Sequence, residues 1–252
     1  MHRLRAFDQK FFAEERIMSS RMRARWLALA LFLVVGGSVL FGITLLDVQQ
    51  RDDLATMDVP MAGWLREARS PVLTPIMIAL AVVFGPIVLS IIVLFVTITW
   101  GLLINHAWRP VVLALGTLAA VVAVRITAEL VQRARPPVSL MLFGPDASFS
   151  FPSGHVVGAA EFGLLASYLV FSRGRRVVTA ILAVCATVGV VVVLGISRIY
   201  LGYHWATDVL ASVSIALVIL GIVVAIDTMR TARIASERSE VASGREAGYA
   251  ST

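Results

Sequence analysis

The sequence predicts an all-α membrane protein, built as a bundle of six transmembrane helices. Of its 252 residues, 58% are hydrophobic and only 15% are charged, and the mean hydropathy is +0.86. Several segments continue for about 20 residues without a charge, which is the length a helix needs to cross the hydrocarbon core of a bilayer. The period-two alternation of membrane strands is absent from these segments. Composition therefore excludes an ordinary water-soluble globular domain.

The six predicted spans cover approximately residues 26–46, 86–105, 111–131, 156–172, 177–196 and 206–226. One stretch is ambiguous, because Pro71 to Asn105 is too long for a single span and Gly85-Pro86 interrupts it. Proline breaks or kinks a helix. This stretch therefore contains either two crossings or one crossing preceded by a partly embedded helix.

The charge distribution favours the single crossing. Residues 1–25 hold seven basic and three acidic side chains, whereas residues 47–70 hold three basic and five acidic ones. Positive charge accumulates on the cytoplasmic side of membrane proteins, so the first segment is expected inside and the second outside. With one crossing between 71 and 105, the basic turn at 173–176 also falls inside. The prediction is six spans in a plasma (inner) membrane, with both termini cytoplasmic.

Three parts of the chain are expected to differ in character. Residues 1–25 form a basic cytoplasmic segment, residues 26–226 form the six-span domain, and residues 227–252 form a disordered cytoplasmic tail that is poor in large apolar side chains. The first span is not expected to be a cleavable signal, because its apolar run is longer than a signal-peptide core and lacks a small-residue cleavage site.

Composition also narrows the chemistry. The single Cys185 has no partner in the chain, so neither an internal disulfide nor a thiolate metal site is expected. The net charge of +6 comes from basic residues that flank apolar segments. This pattern indicates orientation in a membrane rather than binding to nucleic acid.

The predicted topology places residues 132–155 and 197–205 outside, and both segments carry Arg and His. Arg133 and Arg135 precede two prolines at the outer end of the third span. Guanidinium groups bind phosphate oxygens in a fork, although anchoring to lipid headgroups is the favoured interpretation of this pair taken alone. In the same segment, Ser153, Gly154 and His155 come just before the fourth span.

The residues just before the fourth span indicate binding of an anion and transfer of a proton. Ser153 and Gly154 would lie at a helix N-terminus, where free N–H groups and the helix dipole favour an anion, and His155 can move a proton. A helix cap beside an incidental interfacial histidine is the alternative.

Further along, His204 and Asp208 are four residues apart and follow Ser197-Arg198. A carboxylate on the same helix face can fix one imidazole nitrogen and leave the other free to attack an electrophile.

Together the three clusters resemble the type 2 phosphatidic acid phosphatase superfamily, the membrane lipid-phosphate phosphatases. That family carries K-x6-R-P, then P-S-G-H, then S-R-x5-H-x3-D at the outer ends of a six-helix bundle. The resemblance covers roughly residues 60–226. The second motif matches at residues 152–155 and the third at residues 197–208, both without change. In the first motif Arg135-Pro136 matches, but Ala128 stands where the family has lysine.

Nearby charged residues offer substitutes for the missing lysine. Arg133 could share the phosphate contact, and Arg125 could reach outward from one turn deeper. Arg125 could instead pair with Glu129 at the i,i+4 spacing, which is the interpretation we favour. Glu161 lies deeper in the fourth span and is an intramembrane acid without an assigned role.

The resemblance implies a role for each residue of an outer-face active site. It implies that His204 attacks phosphorus and forms a phosphohistidine, while Asp208 orients its ring. It implies that His155 protonates the leaving oxygen and then activates water. It also implies that the phosphoryl oxygens are held by Arg135, Arg198, Ser153 and the Gly154 N–H, with Arg133 as a further candidate. No metal and no cofactor is expected.

The implied substrate is a lipid phosphate whose tail lies in the bilayer. Prenyl diphosphates such as the undecaprenyl carrier, phosphatidylglycerol phosphate and phosphatidic acid all suit this layout. A lipid phosphotransferase of the same fold, or a catalytically impaired lipid-binding or transport relative, are the alternatives. Vanadium haloperoxidases share the motifs but are soluble. The oligomeric state stays open.

Overall fold

The computed structural model describes residues 15–104, 106–174 and 176–234, and within these ranges the chain is almost entirely helical. The long helices are α1 (Ser20–Gln50), α4 (Pro86–Ile104), α5 (Trp108–Val131), α6 (Gly154–Phe171), α7 (Val177–Tyr200) and α8 (Ala206–Thr231). Two shorter helices are α2 (Asp58–Glu67) and α3 (Leu73–Val83). Single 3-10 turns cover Asp53–Met57 and Val138–Leu140, and a short parallel pair joins β1 (Arg16–Met18) to β2 (Ala232–Ile234).

The six long helices are each apolar and long enough to cross a membrane. The prediction of six crossings is thereby confirmed, and the protein is a multi-pass membrane protein. The ambiguous stretch resolves into one crossing, α4, preceded by the short apolar helix α3. Helix α3 ends because Pro86 has no N–H to continue the ladder, and the backbone turns at Gly85.

Several helix ends differ from the predicted ones. Helix α1 begins at Ser20, earlier than predicted, because the Ser19 hydroxyl accepts a hydrogen bond from the Met22 N–H at 3.2 Å and caps the first turn. Helix α7 continues to Tyr200, so the Ser-Arg pair lies in its last turn instead of a loop. Helix α8 continues to Thr231, so the start of the segment predicted as a disordered tail is helical. Residues 232–234 of that tail form β2, while residues 1–14 and 235–252 lie outside the described residues.

Helices α6 and α8 are the most enclosed of the long helices. Helix α1 lies along α8 at very short distance, because glycines replace side chains at the contact. A Cβ on Gly37 would lie 2.8 Å from the Ser214 carbonyl oxygen, and one on Gly221 would lie 2.8 Å from the Ala30 carbonyl oxygen. Close approach through small residues is the usual way in which helices pack in lipid.

The two ends of the bundle have different polar networks. At one end, which we call the opposite end, the buried Asp227 accepts hydrogen bonds from Trp108, Tyr168 and Arg173. The other end carries the sequence motifs, and we call it the motif end. Residues 132–153 and 201–205 cover it together with α2, whose residues Asp58 and Leu65 are buried against it.

Candidate active site

The three sequence motifs, far apart in the chain, come together at the motif end. The Ser197-Arg198 pair lies in the last turn of α7, and Asp208 lies in the first turn of α8. The connection between these helices is tight because Gly202 adopts a φ of +83°, a value that side chains disfavour. The Tyr203 N–H donates to the Arg198 carbonyl at 3.0 Å and holds this turn closed. His204 is thereby placed between the two helix ends.

His204 is fully enclosed, with 2% of its surface exposed, and both ring nitrogens have defined neighbours. Nδ1 lies 2.8 Å from the Ser150 carbonyl oxygen and 3.4 Å from Oδ2 of Asp208. A carbonyl oxygen can only accept, so Nδ1 carries the proton and Nε2 carries the lone pair. Nε2 faces Nη1 of Arg135 at 3.1 Å. The ring therefore presents an unprotonated nitrogen toward an arginine.

Burial lowers the pKa of His204 to about 4. Its ionic neighbours act in both directions, because Asp208 favours the imidazolium while Arg135 and Arg198 disfavour it. Loss of hydration dominates, so the ring is neutral at neutral pH. A neutral imidazole keeps the lone pair that nucleophilic attack requires.

Asp208 is completely buried, and its carboxylate is held from several directions. Oδ2 accepts from the Ser150 hydroxyl and from the Trp205 N–H at 2.8 Å, while Oδ1 accepts from Arg133 at 2.6 Å. The Ser150 carbonyl lies closer to the imidazole N–H than this carboxylate does. Ser150 is a site residue that the motifs do not contain, although it lies only three positions before Ser153 in the sequence.

Arg135 lies in front of His204 and is fixed there by a loop. Its Nη1 donates to the Tyr203 carbonyl at 2.7 Å, and its Nε and Nη2 donate to Ser148. Nη2 also pairs with Asp146 at 3.1 Å. Burial lowers the pKa of Arg135, and Asp146 opposes that effect. The guanidinium stays charged, because an arginine begins from a very high pKa.

Two residues of the sequence motifs carry buried donors that have no hydrogen-bond acceptor among the described residues. The Arg198 side chain is 4% exposed, its guanidinium stacks on the Tyr203 ring at 4.5 Å, and its Nε has no partner. The Ser153 hydroxyl is likewise buried and unpartnered. Buried polar groups are nearly always hydrogen-bonded, so these two are available to an anion. Ser153 itself is fixed through its N–H, which donates to the Ser212 hydroxyl at 2.8 Å.

The remaining predicted residues at the start of α6 lie beside this group. Gly154 is the first residue of α6 and is exposed, and His155 follows it and is half-buried. The His155 ring approaches the break between α3 and α4, where a Cβ on Gly85 would be 3.6 Å from its Nε2. The helix break therefore makes room for this histidine.

Arg133 lies behind His204 rather than beside the unpartnered donors. Its guanidinium donates to Asp208, to the Thr207 hydroxyl at 2.7 Å and to Asp58 at 2.5 Å. The predicted phosphate contact from Arg133 would require it to leave these partners. In the sequence, Asp58 is one of several acids between residues 47 and 70, and the residues next to it do not indicate a role.

The charged residues considered as substitutes for the missing lysine do not join the site. Ala128 is half-buried, while Arg125 and Glu129 are both exposed on α5 and form no ion pair with each other. The favoured i,i+4 pairing is therefore wrong, since among the described residues no ion pair joins these two exposed side chains. Glu161 is fully buried in α6, and neither of its carboxylate oxygens has a hydrogen-bond partner among the described residues.

Two cavities lie at the motif end near the catalytic candidates. One cavity of about 330 Å³ lies between α2 and the Pro136-Pro137 turn, and one of about 400 Å³ lies beside Arg135 and Asp146. Neither is lined by His155, Arg198 or His204. In the described parts of the chain, no three His, Cys, Asp or Glu side chains are grouped as metal ligands.

The family model of the PAP2 superfamily matches residues 109–232, a segment that contains all three motifs. This part of the chain belongs to the PAP2 superfamily. The resemblance recognised from the motifs is thereby confirmed. Among curated PAP2 relatives, phosphatidylglycerophosphatase B of Bacillus subtilis (strain 168) is 36% identical over 109 residues, which is 41% of this chain and 50% of that protein.

Phosphatidylglycerophosphatase B of Escherichia coli (strain K12) is 42% identical over 71 residues, which is 28% of this chain and 26% of that protein. The matched part of the chain thus covers half or less of the length of each of these two curated relatives. Among solved structures, the first transmembrane PAP2 type phosphatidylglycerolphosphate phosphatase from Bacillus subtilis superposes with a TM-score of 0.68 at 22% identity, covering 77% of this chain and 96% of that one. LpxE of Aquifex aeolicus superposes with a TM-score of 0.51 at 21% identity, covering 67% and 94%. These likenesses show that the bundle has the fold of membrane PAP2 proteins.

Proposed function

We propose that the protein is an integral membrane lipid phosphatase that hydrolyses a lipid phosphate or diphosphate through a phosphohistidine on Nε2 of His204. One observation carries the proposal: a buried neutral imidazole has its Nδ1–H fixed on the Ser150 carbonyl and its free Nε2 aimed at an arginine. The names of the relatives, phosphatidylglycerophosphatase B, agree with this activity.

The phosphoryl group would bind among the positive charges in front of His204. Nε of Arg198 and the Ser153 hydroxyl have no acceptor in the described structure, and each would bind a phosphoryl oxygen. The Gly154 N–H, at the start of α6, adds a donor where the helix dipole favours an anion. Arg135 would turn from Nε2 to the incoming phosphate. Donors already aimed at the charge need little reorganisation as it spreads in the transition state.

The first chemical step transfers the phosphoryl group to His204. The Nε2 lone pair forms a bond to phosphorus while the bond from phosphorus to the lipid oxygen breaks, and that oxygen keeps the electron pair. His155 donates a proton to the leaving oxygen. The phosphorylated ring is cationic, so the Ser150 carbonyl and the Asp208 carboxylate stabilise it from the Nδ1 side.

The second step releases phosphate. His155, now deprotonated, accepts a proton from a water molecule that attacks phosphorus, and the phosphorus–nitrogen bond breaks with its electrons returning to Nε2. Both histidines end in their initial states. A transferase would use a lipid hydroxyl in place of water, and analysis of the products distinguishes the two.

The substrate and the side of the membrane belong to the same proposal. Phosphatidylglycerol phosphate, prenyl diphosphates and phosphatidic acid each offer a phosphate at the bilayer surface and a tail in the lipid. The acidic loop at 47–70 and the basic segment at 1–25 support a plasma membrane location, with both termini cytoplasmic and the motif end outside.

The test is phosphate release from these three lipids by the purified full chain and by His204→Ala, with His106→Ala as the matched control. His106 lies between α4 and α5, away from the motif end. Wild type and His106→Ala are expected to release phosphate from at least one lipid, and His204→Ala from none. When the reaction with a lipid labelled in its phosphate is quenched after a short time, an acid-labile labelled phosphoprotein should be trapped. Activity that survives His204→Ala refutes the nucleophile assignment.

A further inference from the structure

We infer that Asp58 is a positioning residue for catalysis, acting through Arg133 and Thr207 on the carboxylate that orients His204. This inference rests on the proposed function. We call Asp58, Arg133 and Thr207 the Asp58 clasp. It lies directly behind the Asp208–His204 pair and makes none of the proposed contacts to phosphate.

The contacts of Asp58 are made by both of its carboxylate oxygens. Oδ2 pairs with Nη2 of Arg133 at 2.5 Å and accepts from the Thr207 hydroxyl at 2.7 Å. Oδ1 accepts from the Thr207 N–H at 2.9 Å. The Asp58 side chain is 3% exposed, so these bonds replace its hydration completely. A buried carboxylate is retained only where such partners compensate for lost water.

The Thr207 contact attaches α2 to the start of α8. Thr207 is the second residue of α8, and its N–H is one of the four that a helix cannot satisfy internally. Asp58 supplies the acceptor from another part of the chain, 149 positions earlier. Since Asp208 is the next residue, the position of its backbone depends on this attachment.

The Arg133 contact determines which oxygen of Asp208 faces His204. Arg133 directs Nη2 to Asp58 and Nη1 to Oδ1 of Asp208, so Oδ2 is left for Ser150, the Trp205 N–H and the imidazole side. Without the Asp58 charge, the planar fork of Arg133 could take both oxygens of Asp208 in the bidentate mode that guanidinium groups favour. That arrangement would compete directly with His204. Asp58 therefore keeps Oδ2 available.

The clasp also explains why Arg133 does not occupy the place of the family lysine. One guanidinium stands between two buried carboxylates, and removing it would leave both acids facing each other uncompensated. Asp58 lies outside residues 109–232, the segment that matches the family. The inference thus extends the catalytic apparatus to α2, a helix without any of the family motifs.

The test compares Asp58→Asn with Glu67→Gln. Asparagine keeps the shape and the acceptor for the Thr207 N–H but removes the charge. Glu67 is an exposed acid in the same helix, so its change to glutamine is the matched control. We expect Asp58→Asn to lower kcat about 10- to 100-fold with KM changed less than about twofold, since small misplacements of reacting groups cost this much. Asp58→Glu, which restores the charge, should recover part of kcat.

A second measurement does not depend on activity. The chain has four histidines, so selective ¹⁵N labelling gives a small set of ring signals, and His204→Ala assigns one of them. In wild type and Glu67→Gln, His204 should show a single tautomer with the proton on Nδ1. In Asp58→Asn it should show a mixture of tautomers, recorded at a temperature at which thermal unfolding shows that the variant is folded.

Each result separates the two proposals. If wild type hydrolyses none of the lipids, the proposed function fails, and the tautomer of His204 still decides the clasp. If wild type is active and Asp58→Asn keeps both its kcat and its single tautomer, the clasp is overturned alone. A loss of kcat that follows only a loss of folded protein, with the tautomer unchanged, overturns it as well.

Discussion

Nη1 of Arg135 lies 3.1 Å from Nε2 of His204, so a guanidinium group contacts the nitrogen that is proposed to attack phosphorus. The same Nη1 is tied to the Tyr203 carbonyl, and Asp146 and Ser148 hold the rest of the fork. A phosphate entering the site would exchange these contacts for its own oxygens and uncover the nucleophile. Under the proposed function, Arg135 would therefore connect substrate binding with exposure of His204.

Replacing Arg135 by lysine tests the need for this fork. A lysine keeps the charge but cannot bind a phosphoryl group in two places while remaining beside His204. We expect kcat/KM to fall about 100-fold, as is typical for loss of a preorganised donor to transition-state charge. Steady-state phosphate release measures this, with Arg125→Lys as the control on exposed α5 surface. Equal activities for the two variants would contradict the assignment of Arg135.

Arg133 and Arg125 are predicted to differ sharply, although both were candidates for the missing lysine contact. Arg133→Ala leaves Asp58 and Asp208 buried without their shared cation, whereas Arg125→Ala removes an exposed side chain. Breaking a buried pair costs about 3–5 kcal/mol of stability, so the first variant should lose activity and also melt earlier. The second should match wild type in both kinetic assays and thermal unfolding. A larger effect of Arg125→Ala would refute this.

The low pKa of His204 predicts a dependence of stability on pH. An unfolded histidine titrates near pH 6.5 and the folded ring at about 4, so between these values the unfolded state binds more protons. Stability should therefore fall as the pH drops from about 6.5 to about 4. Melting temperatures of wild type and His204→Asn measured across this range test it. In the variant, the melting temperature should depend less on pH, because the contribution of His204 is lost. If the melting temperatures of the two proteins fall in parallel as the pH drops, the ring is not held neutral by burial.

Asp146 is predicted to compete with the substrate phosphate for Arg135. Asp146→Asn removes a carboxylate that pairs with Nη2 at 3.1 Å on a partly exposed loop. Exposed ion pairs contribute about 0.2–1 kcal/mol, so KM should fall by at most about fivefold while kcat changes little. Asp52→Asn, in the exposed turn before α2, is the control. A KM that rises in Asp146→Asn would mean that this acid helps to hold Arg135 for substrate instead.

Neighbouring glycines in α1 should respond oppositely to alanine. A Cβ on Gly37 would lie 2.8 Å from the Ser214 carbonyl oxygen, whereas one on Gly36 has nothing within 4 Å. Gly37→Ala should cost about 1–3 kcal/mol because it forces α1 away from α8. Gly36→Ala should be neutral or stabilise by about 0.5–1 kcal/mol through helix propensity. Thermal unfolding in detergent compares them, and equal shifts would contradict the close packing of these helices.

The sequence predicted the spans well because lipid imposes a simple rule. A helix that crosses a bilayer must be apolar for its full length, and this leaves a clear pattern along the chain. Helix ends were predicted less well, since they depend on local capping at Ser19 and on the burial of Asp227 near the end of α8. The Arg125–Glu129 pair failed because spacing permits a contact without requiring it.

The residues of the three motifs, including His155, Arg198, His204 and Asp208, could be selected from the sequence by itself, because polar residues between long apolar runs are costly and stand out. The partners of these residues could not be selected. The Ser150 carbonyl is a backbone group, which every residue has. Asp58 is one of several acids in the polar segment 47–70 of the sequence. Only the tertiary structure brings Ser150 to His204 and Asp58 to Arg133, because packing between residues 54 and 75 positions apart in the chain decides which common groups become neighbours.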